Sequence, residues 1–300
     1  MGNDPILTVI GSYPVNIDSM GFMSQYWDSL AKPSWNDTIA AAVNDMVSAG
    51  VQLVSDGQTR DPFVTIFARG LKGCRIRDRP EVVDKIEYDR PITKQDLQFV
   101  RSILPKNVQL LGLIVGPHTL SQTVGDQYYH DKERLAFDAA EALHKEAKAI
   151  EPYVDVISVD EPHFSTSFPS YGQELIETVV DGITIPKRLH VCGDVSDIIP
   201  HLLDMPVDIL SHEFKATPSL FDRFEEYPGT NKQFCIGSVR SDSDVVESVD
   251  EISDHITKAF DVFGKNVTQL SPDCGLRFLP RHVAMQKLKN LHTAMEENKL

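Results

Sequence analysis

VDVISVD, residues 154–160, runs straight into Glu161-Pro162, and it sets the pattern of the whole chain: a short apolar run that stops abruptly at charged or turn-forming residues. Runs of the same kind span residues 7–11, 51–57, 109–116, 188–192, 207–213, 233–239 and 267–274. Stretches of helical periodicity lie between them. In residues 131–150, Leu135, Ala139, Leu143 and Ala147 recur at spacing four, which makes a core-facing stripe on a helix. Residues 244–263 repeat the pattern with Val245, Val249, Ile252, Ile256 and Phe260, and residues 280–297 with Ala284, Leu288 and Leu291. Strands alternating with helices imply βα units and a parallel sheet. Eight such units imply closure into a single (β/α)8 TIM barrel covering residues 1–300. Residues 73–93 do not fit a minimal barrel, and their alternating charged and apolar side chains predict a hairpin-like insertion after the second strand.

The barrel reading gathers the unusual residues at one end. The C-terminal ends of the runs carry Gly11-Ser12, Asp56-Gly57-Gln58, Gly116-Pro117-His118-Thr119, Asp160-Glu161, His190-Val191-Cys192, His212-Glu213, Val239-Arg240 and Asp273-Cys274. Barrel enzymes place their chemistry at that face. His190, Cys192 and Cys274 stand out, because two sulfur ligands and an imidazole make a thiophilic metal site, zinc before other metals. Residues two apart in an extended segment point to the same side, so His190 and Cys192 can face one ion. Glu213 is the candidate fourth ligand from an intervening strand end, while its neighbour His212 points the other way. The competing reading is a buried His and buried Cys satisfied by ordinary neighbours.

Composition narrows the function classes. The chain has 300 residues, 41% of them hydrophobic, which supports one large core. Its net charge is −15 with no local run of Lys or Arg, which argues against nucleic acid or an anionic membrane as partner. Neither a basic leader nor a long apolar span is present in the sequence, so the expectation is a cytoplasmic protein. Four cysteines, two of them in metal-like contexts, argue against a disulfide framework, and Cys74 and Cys235 read as ordinary thiols.

The segments VIGSYP near the start, VDEP in the middle, then LHVCG, DILSHE and SPDCGL resemble the catalytic domain of cobalamin-independent methionine synthase. The resemblance spans essentially the whole chain, in order. It implies zinc held by His190, Cys192, Glu213 and Cys274, and a barrel of the kind shared with uroporphyrinogen decarboxylase. It further implies that Ile10, Gly11 and Ser12 receive the carboxylate of homocysteine and that Asp160 pairs with its ammonium group. Asp160 and Glu213 are accordingly the expected catalytic carboxylates.

Departures from the family pattern bear on the two substrates. Gln58 stands where the family places a second acid for the ammonium group, which weakens that contact and admits another small thiol, such as coenzyme M, as acceptor. Arg240 aligns with the family's catalytic histidine and cannot deliver a proton at neutral pH. Thr123 stands where folate-dependent members carry a tryptophan, and the second barrel of their full-length forms is missing. These departures make methylcobalamin or a corrinoid protein the expected donor and partner, methyltetrahydrofolate the alternative, and His118 a residue near the donor. A decarboxylase would leave the His and Cys residues without a role, and a non-catalytic corrinoid- or metal-binding module would not need Asp160.

Overall fold

All eight apolar runs become parallel strands, and their order around the sheet follows the chain. The computed structural model describes residues 4–15 and 35–298. The strands are β1 (Ile6–Leu7), β2 (Leu53–Val54), β3 (Gln109–Val115), β4 (Val156–Asp160), β5 (Lys187–His190), β6 (Ile209–His212), β7 (Gln233–Val239) and β8 (Val267–Pro272). Each pairs in parallel with its chain neighbours, and β1 pairs with β8. Closure between β1 and β2 rests on a bridge between Thr8 and Leu53, with Gln52 N donating to Leu7 O at 2.9 Å and Thr8 Oγ1 donating to Leu53 O at 2.9 Å. The α/β barrel expected from the runs is therefore the observed fold.

The strands end before the apolar runs do. Residues 51–57 yield only a two-residue strand, because Ser55 Oγ turns away from the ladder to donate to Gly11 O at 2.6 Å and Gly57 N donates back to Ser55 Oγ at 3.0 Å. These run-off segments carry the polar residues over the barrel mouth.

Helix boundaries follow local capping. Helix Lys132–Ile150 starts where the Asp131 carboxylate accepts from Glu133 N and Arg134 N, both at 3.1 Å. It buries Leu135, Ala139, Leu143 and Ala147, the stripe read from the sequence. Helix Arg281–Glu297 likewise buries Ala284, Leu288 and Leu291. The helix read over residues 244–263 begins later, as Val249–Phe263, because Ser248 and Glu251 form a reciprocal capping box that fixes the first turn. Val245 is consequently not a core residue, being 70% exposed.

The insertion is an antiparallel pair, Lys72–Ile76 with Pro80–Glu87, extended by a short parallel pairing to Gly125–Asp126. Helix Phe63–Gly70 precedes it and helix Lys94–Ile103 follows. Its return to the barrel is pinned by the fully buried Glu146, whose carboxylate accepts from Ile92 N, Thr93 N and Thr93 Oγ1, each at 2.8 Å. No described helix is long and apolar enough to cross a membrane.

Candidate metal centre and substrate site

His190 ends β5, Cys192 lies two residues beyond it, and Cys274 lies just past the end of β8. β5 and β8 are separated in the sheet by β6 and β7, so only barrel closure brings Cys274 to the other two. One ligand atom from each residue lies within 4.8 Å of the others. The imidazole is held by its Nδ1, 3.0 Å from Ser211 Oγ on β6, while its Nε2 is buried without a hydrogen-bond partner. Burial, with Arg188 and His212 nearby, pushes the His190 pKa well below its ordinary value, so the ring is neutral at physiological pH. A hydrogen bond between the Cys274 and Cys192 side chains, together with burial and the neighbouring negative charge of Glu213, raises the Cys274 pKa. A neutral imidazole with a bare buried nitrogen, beside two thiols, is a donor set that a soft divalent cation would satisfy.

Glu213 stands beside this group without joining it. Its Oε2 accepts from Gly193 N at 2.9 Å, and burial raises its pKa. His212 does turn away: its Nδ1 is 3.0 Å from Val191 O, and its ring stacks on Phe224 at a centroid distance of 5.9 Å.

The β1 run-off lies against the same centre. Leu276 N donates to Ser12 O at 2.8 Å, and a Cβ on Gly275 would stand 2.2 Å from Ser12 Oγ, so only glycine after Cys274 lets the serine approach. Gln58 is close to Gly11 as well, since a Cβ there would lie 2.9 Å from Gln58 Oε1. The Gln58 backbone has φ +44°, a left-handed conformation held by Gln58 N donating to Asp56 Oδ1 at 2.9 Å. Such strain in a non-glycine residue persists only where surrounding contacts impose it.

Asp160, at the end of β4, accepts from Ser158 Oγ at 2.8 Å. Burial pushes its pKa up to about 6, while Arg188 and the Ser158 bond hold it lower than burial alone would. The adjacent Glu161 instead accepts from His118 N and Thr119 N, both at 2.8 Å, and from Thr119 Oγ1 at 2.6 Å; burial raises its pKa to about 7. Glu161 thus fixes the first turn of helix Pro117–Thr123.

The sequence reading assigned no role to two residues. Arg188 is fully buried inside the barrel, donating from Nε to Ser158 Oγ (3.1 Å), from Nη1 to Gln269 Oε1 (3.3 Å), and from Nη2 to Val9 O (3.1 Å) and Ile10 O (3.3 Å). It ties the carbonyls just before Gly11-Ser12 to the serine that orients Asp160. A cation within an apolar run was the available signal, since charges are rarely buried unpaired. Asp273, beside Cys274, accepts from Lys215 N (3.0 Å) and Ala216 N (2.8 Å), and burial pushes its pKa up to about 8.

The three residues expected on the donor side are each in contact with their own neighbours. Arg240 pairs with Asp242 at 2.6 Å in an exposed position. Thr123 Oγ1 donates to Thr119 O at 2.7 Å within its own helix. His118 is buried against Phe164, ring centroids 5.7 Å apart.

Comparison with known proteins places the chain in a family. A family profile described as cobalamin-independent synthase, catalytic domain, matches residues 6–297. A methionine synthase from Methanocaldococcus jannaschii is 36% identical, covering 95% of this chain and 97% of the relative. Another from Methanothermobacter marburgensis is 32% identical, covering 97% and 99%. Among solved structures, a B12-independent methionine synthase from Shewanella sp. W3-18-1 in complex with selenomethionine superposes with TM-score 0.84 at 23% identity, covering 98% of both chains. A methyltransferase from Methanosarcina mazei gives 0.70 at 18% identity, covering 99% and 94%.

The corrinoid donor and corrinoid-protein partner expected from the sequence are corrected by these relationships, because the matching family is described as cobalamin-independent. The expectation rested on an arginine replacing one proton donor. Loss of an acid at one position does not establish a leaving group that needs no proton, and Glu161 and Asp273 both retain protons near neutrality.

Proposed function

The chain belongs to the cobalamin-independent synthase catalytic-domain family, methyltransferases of the methionine synthase type, and from that premise we propose that it methylates the thiol of homocysteine to give methionine, with methyltetrahydrofolate as donor. The observation that carries the reading is the clustering of neutral His190, which has an unpartnered Nε2, with Cys192 and Cys274, one ligand atom of each within 4.8 Å of the others. These three residues would hold zinc, with Glu213 completing the set by exchanging its bond to Gly193 N for the metal. Bound there, zinc would lower the pKa of a substrate thiol so that it is presented as a thiolate at neutral pH.

The chain's own residues orient the acceptor. Backbone groups of Ile10 and Gly11, with the Ser12 hydroxyl, receive the substrate carboxylate. The Asp160 carboxylate takes the ammonium group, and a cation placed against it draws its pKa of about 6 downward, so the pair is charged at neutral pH. Gln58 offers the ammonium a neutral carbonyl oxygen, a weaker contact than a second carboxylate. The thiolate sulfur attacks the donor's methyl carbon, the carbon–N5 bond breaks, and its electron pair stays on N5, which takes up a proton.

The test combines metal analysis with a donor and acceptor matrix. Purified protein should carry zinc in one-to-one ratio and transfer methyl from methyltetrahydrofolate to homocysteine. Cys274→Ser should lose both metal and activity. Protein that binds no zinc, transfers only from methylcobalamin, or prefers coenzyme M to homocysteine refutes the corresponding part.

A further inference from the structure

We propose that Asp273 is a positioning residue of the metal centre, its carboxyl group reaching across β7 to set where Glu213 stands relative to Cys274, an inference that rests on the zinc reading above. Asp273 lies between the end of β8 and Cys274, and its backbone N donates to Val239 O at 2.8 Å. Its side chain leaves β8 behind. It passes over β7 to the loop after β6, where Oδ1 accepts from Lys215 N at 3.0 Å and Oδ2 from Ala216 N at 2.8 Å. At 1% exposure it does not meet a substrate, so any part it plays is through its neighbours.

The passage across β7 exists because residue 237 is glycine. A Cβ there would collide with Asp273 Oδ1 and stand 2.6 Å from His212 O. Gly237 is not among the glycines with positive φ, so backbone conformation does not demand it, whereas room for the carboxyl group does.

The two amides that Asp273 takes are the second and third after Glu213. Around them the chain folds back on itself, with Phe214 N donating to His212 O at 3.1 Å and Thr217 N to Glu213 O at 3.0 Å. The N–H groups in the middle of that turn have Asp273 as their acceptor, so its carboxyl group fixes the turn from which the Glu213 side chain projects. Glu213 in turn accepts from Gly193 N, the amide after Cys192, at 2.9 Å. Two carboxyl groups thus tie the three ligand-bearing loops in series. When Glu213 exchanges Gly193 N for a metal, the anchored turn keeps it within reach of an ion held by Cys274.

Cobalt(II) in place of zinc tests this by spectrum rather than turnover. Thiolate-to-cobalt charge transfer in the near ultraviolet reports Cys192 and Cys274, and the visible ligand-field bands report whether the Glu213 oxygen is bound. Asp273→Asn keeps the volume but turns one N–H donor of its own against a backbone N–H, freeing one side of the turn. The variant should keep the charge-transfer band, change the visible bands in the way Glu213→Ala does, and bind cobalt about tenfold more weakly. Adding Asp273→Asn to Glu213→Ala should cost no further affinity, because both substitutions remove the same ligand. Wild-type visible bands in Asp273→Asn, losses that multiply in the double variant, or loss of the charge-transfer band, which would place the effect on Cys274, each overturn the proposal. Failure of both Asp273→Asn and Asp273→Ser to fold would make the residue purely structural and overturns it too. Wild-type protein that takes up no cobalt, or visible bands unmoved by Glu213→Ala, would instead overturn the metal reading itself and this inference with it.

Discussion

Replacing Arg188 with Met should damage stability and catalysis together, by separable routes. Methionine keeps the aliphatic stem but removes a buried cation whose five hydrogen bonds join β5 to β4, β7, β8 and the residues after β1. Removing one member of a buried charged network strands its partners, here the carbonyls of Val9 and Ile10 and the carboxylate of Asp160, at a cost of about 3–5 kcal/mol. Most domains have only about 5–15 kcal/mol to lose, so the variant should unfold at visibly lower denaturant concentration yet still fold in the cold. The second effect is electrostatic. Arg188 is the charge that holds Asp160 down to about 6, so without it the carboxyl keeps its proton to higher pH. The acid limb of the pH–kcat/KM profile should therefore move upward, and the KM for homocysteine should rise. Urea unfolding and a pH–rate profile measure the two separately. A stability change under about 1 kcal/mol, or an acid limb that stays in place, would refute the assignment of Arg188 as the strut that positions Asp160.

Three further outcomes follow from the same geometry. Ser211→Ala removes the hydroxyl 3.0 Å from His190 Nδ1 and should weaken zinc affinity about tenfold, read by chelator competition, with the fold intact. Gly275→Ala places a methyl 2.2 Å from Ser12 Oγ, so the KM for homocysteine should rise while zinc content is unchanged; an unaltered KM would remove Ser12 from the substrate site. Metal-free protein should lose stability as pH rises from 6.5 to 8. Glu161 and Asp273 have folded pKa values raised to about 7 and 8 from ordinary values of 4.5 and 3.8, so above pH 6.5 only the folded state still binds their protons, and that advantage disappears as pH climbs. The histidines with depressed values, His118, His190, His212 and His255, are half-protonated in the unfolded chain at pH 6.5 but neutral in the fold, so their titration offsets part of this fall. A net fall of roughly 1 kcal/mol is expected from thermal or chemical unfolding, and a rise in stability over this window contradicts the burial of these two carboxyls.

Much of this protein is local information, and local information is legible in the chain. Eight apolar runs that stop at polar residues specify eight strands, since period and punctuation depend only on near neighbours. The same is true of the Asp131 cap, of the stripe Leu135, Ala139, Leu143 and Ala147, and of His190 and Cys192 facing one side. Hydrophobic periodicity alone misjudged Val245, because a capping box three residues later fixed the first turn and left the valine outside. The tertiary structure decided what depends on closing the barrel. It brought Cys274 across two intervening strands to His190, sent Glu213 to Gly193 N, and placed Arg188 where four other segments meet. Distances across a closed sheet are set by strand stagger and tilt, which no single run encodes. The candidate metal ligands were therefore recognisable from their types and strand ends, whereas the buried arginine that ties β5 to its neighbours and to the residues after β1 emerged only from the folded barrel.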